Sequence, residues 1–92
     1  MFDVENISLQ KLDLSGNGAT TLPINAFNFL SNIQNLNLSL NDFSTISGGA
    51  FQELKNLKLL DLNLSQISTI QNYAFQGLGN LNSLGLFRIK FR

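Results

Sequence analysis

The side chains able to carry out chemistry in this sequence are few. It contains no Cys and no His, which excludes thiol chemistry, disulfides, imidazole catalysis and the usual zinc sites. Carboxylates remain, and Asp13 and Asp61 are separated by two periods of a 24-residue repeat. Two strands apart in a sheet, they would lie about 10 Å from each other, near the upper limit for the acid pair of an inverting glycosidase. Because Asn37 falls between them and no cleft follows from the pattern, we predict no enzymatic activity, no cofactor and no metal.

The 24-residue repeat organises the whole chain. Its clearest copy runs from Ile33 to Asn56, and a unit of this length cannot bury its apolar face unless it stacks on a neighbour. We predict repeats at about 9–32, 33–56 and 57–80, with an out-of-register start at 1–8 and a partial, degenerate repeat at 81–92. The columns that recur are Leu12, Leu36, Leu60 and Leu84; Leu14, Leu38, Leu62 and Leu86; Phe27, Phe51 and Phe75; and Leu30, Leu54 and Leu78.

Local patterns predict strands, turns and a core. The two-residue spacing of Leu12 and Leu14 places both on one face of a short strand, because successive strand side chains alternate. Asn17 and Asn41 follow such strands in one column, where an amide can bond to turn backbone, so we predict a structural ladder of Asn side chains between coils. Ser65 takes that column in the third repeat, and its rung should be weaker. The Phe column is predicted to be a core spine.

Three segments, L-Q-K-L-D-L-S-G-N, I-Q-N-L-N-L-S-L-N and L-K-L-L-D-L-N-L-S, are each followed by an A-F-x-x-L step. In this the chain resembles the leucine-rich repeat superfamily, and in particular the typical 24-residue subclass of Toll-like receptors and other animal extracellular ectodomains. The resemblance covers roughly residues 9–86. It implies an α/β-type solenoid, a right-handed leucine-rich repeat coil with short parallel β-strands on the concave face and irregular or short helical convex segments.

The resemblance also implies ligand recognition on the concave face, and the repeat register identifies the side chains placed there. We predict binding through polar groups clustered with exposed apolar ones. The alternative is a solvated sheet face whose recognition patch lies elsewhere in a longer array. The candidate ligand-binding residues are Lys11, Asp13, Asn35, Asn37, Leu59, Asp61, Asn63 and Phe87.

Three Asn-x-Ser triplets are formal acceptors for N-glycosylation in a secreted protein, and they begin at Asn6, Asn37 and Asn63. Chance alone yields roughly two such triplets in a chain this rich in Asn and Ser. A glycan on Asn37 would obstruct the concave face, so glycosylation of Asn37 would conflict with ligand binding by the residues around it.

Net charge and hydropathy limit the kinds of partner that the chain is expected to bind. The net charge is zero, and Arg88, Lys90 and Arg92 supply half of the 6 basic residues, which leaves a mildly acidic body. Such a body argues against nucleic acid as a partner. No apolar run approaches the roughly 18 residues that a transmembrane helix needs. We therefore expect membrane attachment only through segments that are not in this chain.

These observations predict a non-catalytic protein-recognition module, from the ectodomain of a receptor or secreted leucine-rich repeat protein in innate immune sensing or cell adhesion. The expected partner is a protein ligand or co-receptor, and the expected location is extracellular or at the cell surface. Because the family's Cys-rich caps are absent, we expect a fragment of a larger ectodomain. Two alternatives stay open: an intracellular, cytoplasmic scaffold, and a structural repeat that self-associates end to end.

Overall fold

The computed structural model describes residues 10–22, 27 and 30–86. Within those residues the chain forms short strands joined by turns, and it contains no helix. The strands are β1 (Lys11–Asp13), β2 (Asn35–Asn37), β3 (Thr45–Ile46), β4 (Leu59–Asp61), β5 (Thr69–Ile70) and β6 (Ser83–Gly85).

One strand from each repeat joins a four-stranded parallel sheet, in the order β1, β2, β4, β6. Each residue pairs with the residue one repeat later, so that Lys11 lies opposite Asn35, Asn35 opposite Leu59, and Leu59 opposite Ser83. Parallel neighbours require a crossover connection, which the remainder of each repeat provides. The predicted coil of short parallel strands is therefore confirmed.

The repeated leucines and phenylalanines form the core. Leu36 and Leu60, at the centres of β2 and β4, are 1% and 0% exposed. The ring centroids of Phe27 and Phe51 are 6.3 Å apart, and those of Phe51 and Phe75 are 6.0 Å apart, with nearly parallel planes. Burying a side chain of this size stabilises the fold by about 1.5–3 kcal/mol. The predicted core spine is confirmed, with Phe75 half-buried at its end.

The convex part of the coil, which leads from one concave strand to the next and is called the return path, was expected to be irregular or to form short helices. It contains a second sheet instead. β3 and β5 pair in parallel, with Thr45 opposite Thr69 and Ile46 opposite Ile70. The β-branched side chains of Thr and Ile favour extended backbone, and the complete burial of Ile46 fixes its register. The return path is thus an extended segment followed by tight turns.

Asn41 joins two coils through its side chain. Its Oδ1 accepts hydrogen bonds from the backbone N–H groups of Asn17 (3.0 Å) and Ala19 (3.1 Å), both in the preceding coil. Its Nδ2 donates to the carbonyl oxygens of Leu14 (2.9 Å), in the preceding coil, and Leu38 (3.1 Å), in its own. The side chain is buried, so these bonds replace water for backbone groups that leave the strands.

Two further asparagines connect coils at the other end of the sheet. The Nδ2 of Asn56 donates to the carbonyl of Ser31 at 3.0 Å, and the Nδ2 of Asn80 donates to the carbonyl of Lys55 at 2.8 Å. Both bonds reach back to the preceding coil at the same place. The chain therefore carries amide contacts between coils at both ends of its concave strands.

Candidate recognition surface

A shallow cavity of about 300 Å³ lies on the concave face of the large sheet. We call this surface the concave patch, and it spans β1, β2 and β4. Six of the eight candidate ligand-binding residues meet here, because the register places alternate residues of each strand on one face. The residues that line it are Lys11, Leu12, Asp13, Asn35, Asn37, Leu59 and Asp61.

The acidic and amide side chains of the patch are held in place by their own backbone. Asp13, Asn37 and Asp61 occupy one column, and each Oδ1 accepts the N–H of the residue two positions later, at 2.9, 3.0 and 2.9 Å. Such turns restrict the side chain and leave its second terminal atom directed away from that bond. The column thus presents side chains in a fixed arrangement.

The carboxyl of Asp13 has a lowered pKa. The hydroxyl of Ser15 donates to its Oδ1 at 2.6 Å, and the Ser15 N–H donates to the same atom at 2.9 Å. The hydroxyl bond, followed by the N–H bond, lowers the pKa of Asp13 below its ordinary value. Asp13 is consequently ionised at neutral pH.

Leu59 is the more exposed of the two leucines that line the patch. It lies in β4 between Asn35 and Ser83 in its column, and its side chain is 38% exposed. A leucine at this exposure forgoes part of its burial free energy, which a contacting partner would recover. A partner that contacts Leu59 would also reach the polar side chains that line the same cavity.

Asn63 lies at the edge of the patch, beside β6. A Cβ on Gly85 would stand 2.8 Å from the Nδ2 and 3.0 Å from the Oδ1 of Asn63, so glycine leaves the amide its space. Asn63 is half-buried there. The candidates Asn6 and Phe87 lie outside the described residues, as do the predicted start at 1–8 and residues 87–92 of the predicted degenerate repeat.

A second recess was not anticipated from the sequence. It has a volume of about 200 Å³ and is lined by the amide side chains Gln10, Asn32, Gln34 and Asn56. The signal for it in the sequence is the recurrence of Asn at the end of each repeat, at Asn32, Asn56 and Asn80. Two of those asparagines carry the contacts between coils described above.

The described part of the chain offers no group of three or more acidic side chains close enough to hold a metal ion. Asp13 and Asp61 do line the same cavity, with Asn37 between them in the column. The arrangement supplies hydrogen-bond acceptors and charge for contacts with a partner.

A search of the described residues for a helix that could span a membrane finds none.

The large sheet takes one strand from each repeat, and neighbouring coils keep a fixed register. These features and an open concave face define a repeat solenoid, a class of protein that displays an extended binding surface. A family model described as Leucine rich repeat matches residues 7–63 and 41–88, and the chain belongs to that family. The predicted resemblance is therefore confirmed.

The solved structures that are similar to the chain include two receptor complexes. One is TLR13 in complex with ssRNA13, with a TM-score of 0.84, 32% identity and coverage of 86% of this chain. The other is the Toll–Spatzle complex of Drosophila, with a TM-score of 0.81, 36% identity and coverage of 88% of this chain. The chain spans 11% of each of those proteins. A search of curated proteins gives no match.

Proposed function

We propose that this chain is a recognition segment of an extracellular or cell-surface receptor and that it binds a protein ligand or co-receptor through the concave patch. The observation that carries the proposal is the meeting of fixed polar side chains and Leu59 around one shallow cavity. Toll and TLR13, which the chain resembles over most of its length, are both found in complexes. Roles in innate immune signalling or adhesion belong to the same proposal.

Charge favours a protein partner over nucleic acid. The lining of the patch contains two carboxylates, Asp13 and Asp61, and one ammonium group, Lys11. Phosphate recognition depends on an excess of basic groups, and single-stranded nucleic acid also needs aromatic stacking surfaces. No aromatic residue lines the patch among the residues that the structure describes. Among the residues that the structure describes, the lining of the concave patch therefore suits a protein better than a single-stranded RNA such as the one in the TLR13 complex.

A rigid surface suits recognition at low entropic cost. The patch residues sit on paired strands, and their side chains are restrained by the turns of the Asp13 column. Restraint before binding reduces the conformational entropy lost on association. The intracellular scaffold would use the same patch with a different partner, whereas the self-associating repeat would use the apolar faces of its end coils, so the test must distinguish these alternatives.

The test compares two arginine substitutions, one in the concave patch and one in the second sheet. Leu59→Arg places charge in the concave patch, whereas Thr69→Arg places it at an exposed position of β5 in the second sheet. Both variants, and the parent chain, are screened against a displayed library of secreted proteins and receptor ectodomains. A single-stranded RNA oligonucleotide is titrated in parallel by fluorescence anisotropy.

We expect a protein binder whose affinity falls at least about tenfold with Leu59→Arg, the size of effect seen at the central residues of an interface, and is unchanged with Thr69→Arg. RNA binding by the parent chain without any protein binder would overturn the proposal in favour of a nucleic-acid ligand. A parent dimer that Leu59→Arg leaves intact would instead favour end-to-end self-association.

A further inference from the structure

The third repeat breaks the asparagine column at a position that the fold uses in the second repeat. Asn41 is buried and bonded to the backbone of two coils, whereas Ser65, one repeat later, is equally buried and its Oγ has no hydrogen-bond partner. A buried hydroxyl without a partner costs stability. Ser65 is therefore not explained by the packing of the coil.

Ser65 is also the third residue of an Asn-x-Ser triplet that begins at Asn63. In such a triplet the hydroxyl residue is required for attachment of a glycan to the Asn side chain. An Asn in position 65 would restore the hydrogen bonds of the column, but it would remove the triplet. The fold and the modification thus require different residues at one position, and the chain has the one that the modification requires.

The triplet of the second repeat gives the opposite result. The hydroxyl of Ser39 donates to Oδ1 of Asn37 at 2.6 Å, so Ser39 has a role in the turn. Ser15, in the same column, makes the same bond to Asp13 without being part of a triplet. The hydroxyl at position 39 therefore needs no glycan to explain it.

We propose that Asn63 is N-glycosylated and that Asn37 is not. Asn63 follows β4 at the edge of the concave patch and is only half-buried, and residue 85 beside it is a glycine without a side chain over the amide. Leu64, the middle residue of the triplet, is 43% exposed with a positive φ of 61°, so the chain turns outward at this point.

Asn63 is predicted above both as a ligand-binding residue and as a glycan acceptor, and glycosylation would give it the second role only. A glycan on its Nδ2 covers the β6 side of the patch and leaves β1 and β2 open. A protein ligand would then approach from the N-terminal side of the sheet, where Lys11, Asp13, Asn35 and Asn37 lie. The inference stands independently of ligand binding, since it rests on Ser65 and on the surroundings of Asn63.

The experiment maps glycan occupancy on the whole 92-residue chain. The chain is expressed in mammalian cells behind a secretion signal, with an additional Asn-Gly-Thr tag at its C-terminus that reports entry into the secretory pathway. Translocated protein, both secreted and retained, is treated with peptide N-glycosidase in heavy-oxygen water, and mass spectrometry locates each converted Asn.

We expect Asn63 to be occupied in most chains that carry the tag glycan, and Asn37 to be unoccupied. Ser65→Ala and Ser65→Asn should each abolish the modification at Asn63, while Ser39→Ala, the matched control, should leave it unchanged. An unmodified Asn63 in chains whose tag is glycosylated would overturn the inference, and so would occupancy of Asn37 in place of Asn63.

Discussion

At the scale of single residues, the contrast between Asn41 and Ser65 predicts a stabilising substitution. Ser65→Asn gives the third coil the side chain whose equivalent accepts two N–H groups and donates to carbonyls of two coils. Because a net intramolecular hydrogen bond contributes about 0.5–1.5 kcal/mol, and repacking offsets part of the gain, we expect the free energy of unfolding to rise by about 1–2 kcal/mol. Urea denaturation of unglycosylated protein measures it.

Two variants control that measurement. Ser65→Ala removes an unpartnered hydroxyl and should leave the free energy of unfolding unchanged or slightly raised. Asn41→Ser copies the third coil into the second and should lower it by about 2–3 kcal/mol, since buried backbone groups lose their partners. A loss of stability in Ser65→Asn would mean that the third coil has no room for the amide.

The carboxyl of Asp13 provides a second prediction at this scale. Its pKa is lowered by the Ser15 hydroxyl and N–H, so its folded-state pKa lies below its unfolded value. Its contribution to stability is present above the unfolded pKa, about 3.9, and is lost as the pH falls through the lower folded value. Ser15→Ala removes the hydroxyl and should move the pKa of Asp13 upward, which a carboxyl-detected NMR titration follows directly. A pKa unaffected by Ser15→Ala would show that the N–H bond alone sets it.

At the scale of the structural element, glycine determines how closely the turns of the return path approach each other. Gly77 has a φ of +94°, and a Cβ there would lie 2.8 Å from the carbonyl oxygen of Gln52 in the preceding coil. Gly79, two residues later, has nothing within 4 Å of such a Cβ. We expect Gly77→Ala to lower the free energy of unfolding by about 2 kcal/mol or more, because it adds a backbone clash to an unfavourable φ.

Gly79→Ala is the matched control for that prediction and should change stability by less than about 0.5 kcal/mol. Thermal unfolding followed by circular dichroism compares the two variants. Equal effects of the two substitutions would mean that loss of glycine flexibility matters more than the contact between coils.

The backbone of the turns accounts for three exposed apolar side chains. Leu40, Leu64 and Tyr73 have positive φ values of 59°, 61° and 65°, and they are 56%, 43% and 74% exposed. Gly16 and Gly49 occupy the equivalent positions of neighbouring repeats with φ values of 65° and 77°. The left-handed backbone is thus a property of the coil, and the larger residues adopt it with their side chains directed outward.

At the scale of the whole molecule, burial depends on having a coil on each side. Leu60 and Leu62 are 0% exposed in the third repeat, whereas Leu84 and Leu86, one repeat later in the same columns, are 36% and 41% exposed. A repeat is stabilised by its interfaces with its neighbours, so a further coil placed after residue 92 should bury both leucines. We expect fusion of one consensus leucine-rich repeat to raise the midpoint of thermal unfolding by at least several degrees.

The control for the fusion carries Leu84→Ser and Leu86→Ser, which remove the apolar surface that the new coil would cover. In that variant the added repeat should give little or no increase in the unfolding midpoint. A similar increase in both proteins would show that the stabilisation arises within the added repeat and not from its contact with this chain.

The sequence by itself determined the coil, its register and the composition of the concave patch. Columns such as Leu12, Leu36 and Leu60 recur at a fixed period, and only stacking in that register buries them all. Residues between them, including Asp13 and Asn37, must then share the opposite face, as they do around the cavity. The period is a property of the residue types alone, so it fixes the register before any side-chain contact is considered.

The tertiary structure decided the features that depend on contacts between coils. The pairing of β3 with β5, the left-handed backbone of Leu40, the space that Gly85 leaves for Asn63 and the isolation of the Ser65 hydroxyl are all of this kind. Each depends on distances of a few ångströms between residues about one repeat apart or on a local backbone angle, and local propensity does not specify these. The amino-acid sequence determines which coils stack, and the packing between coils determines which side chains have no hydrogen-bond partner.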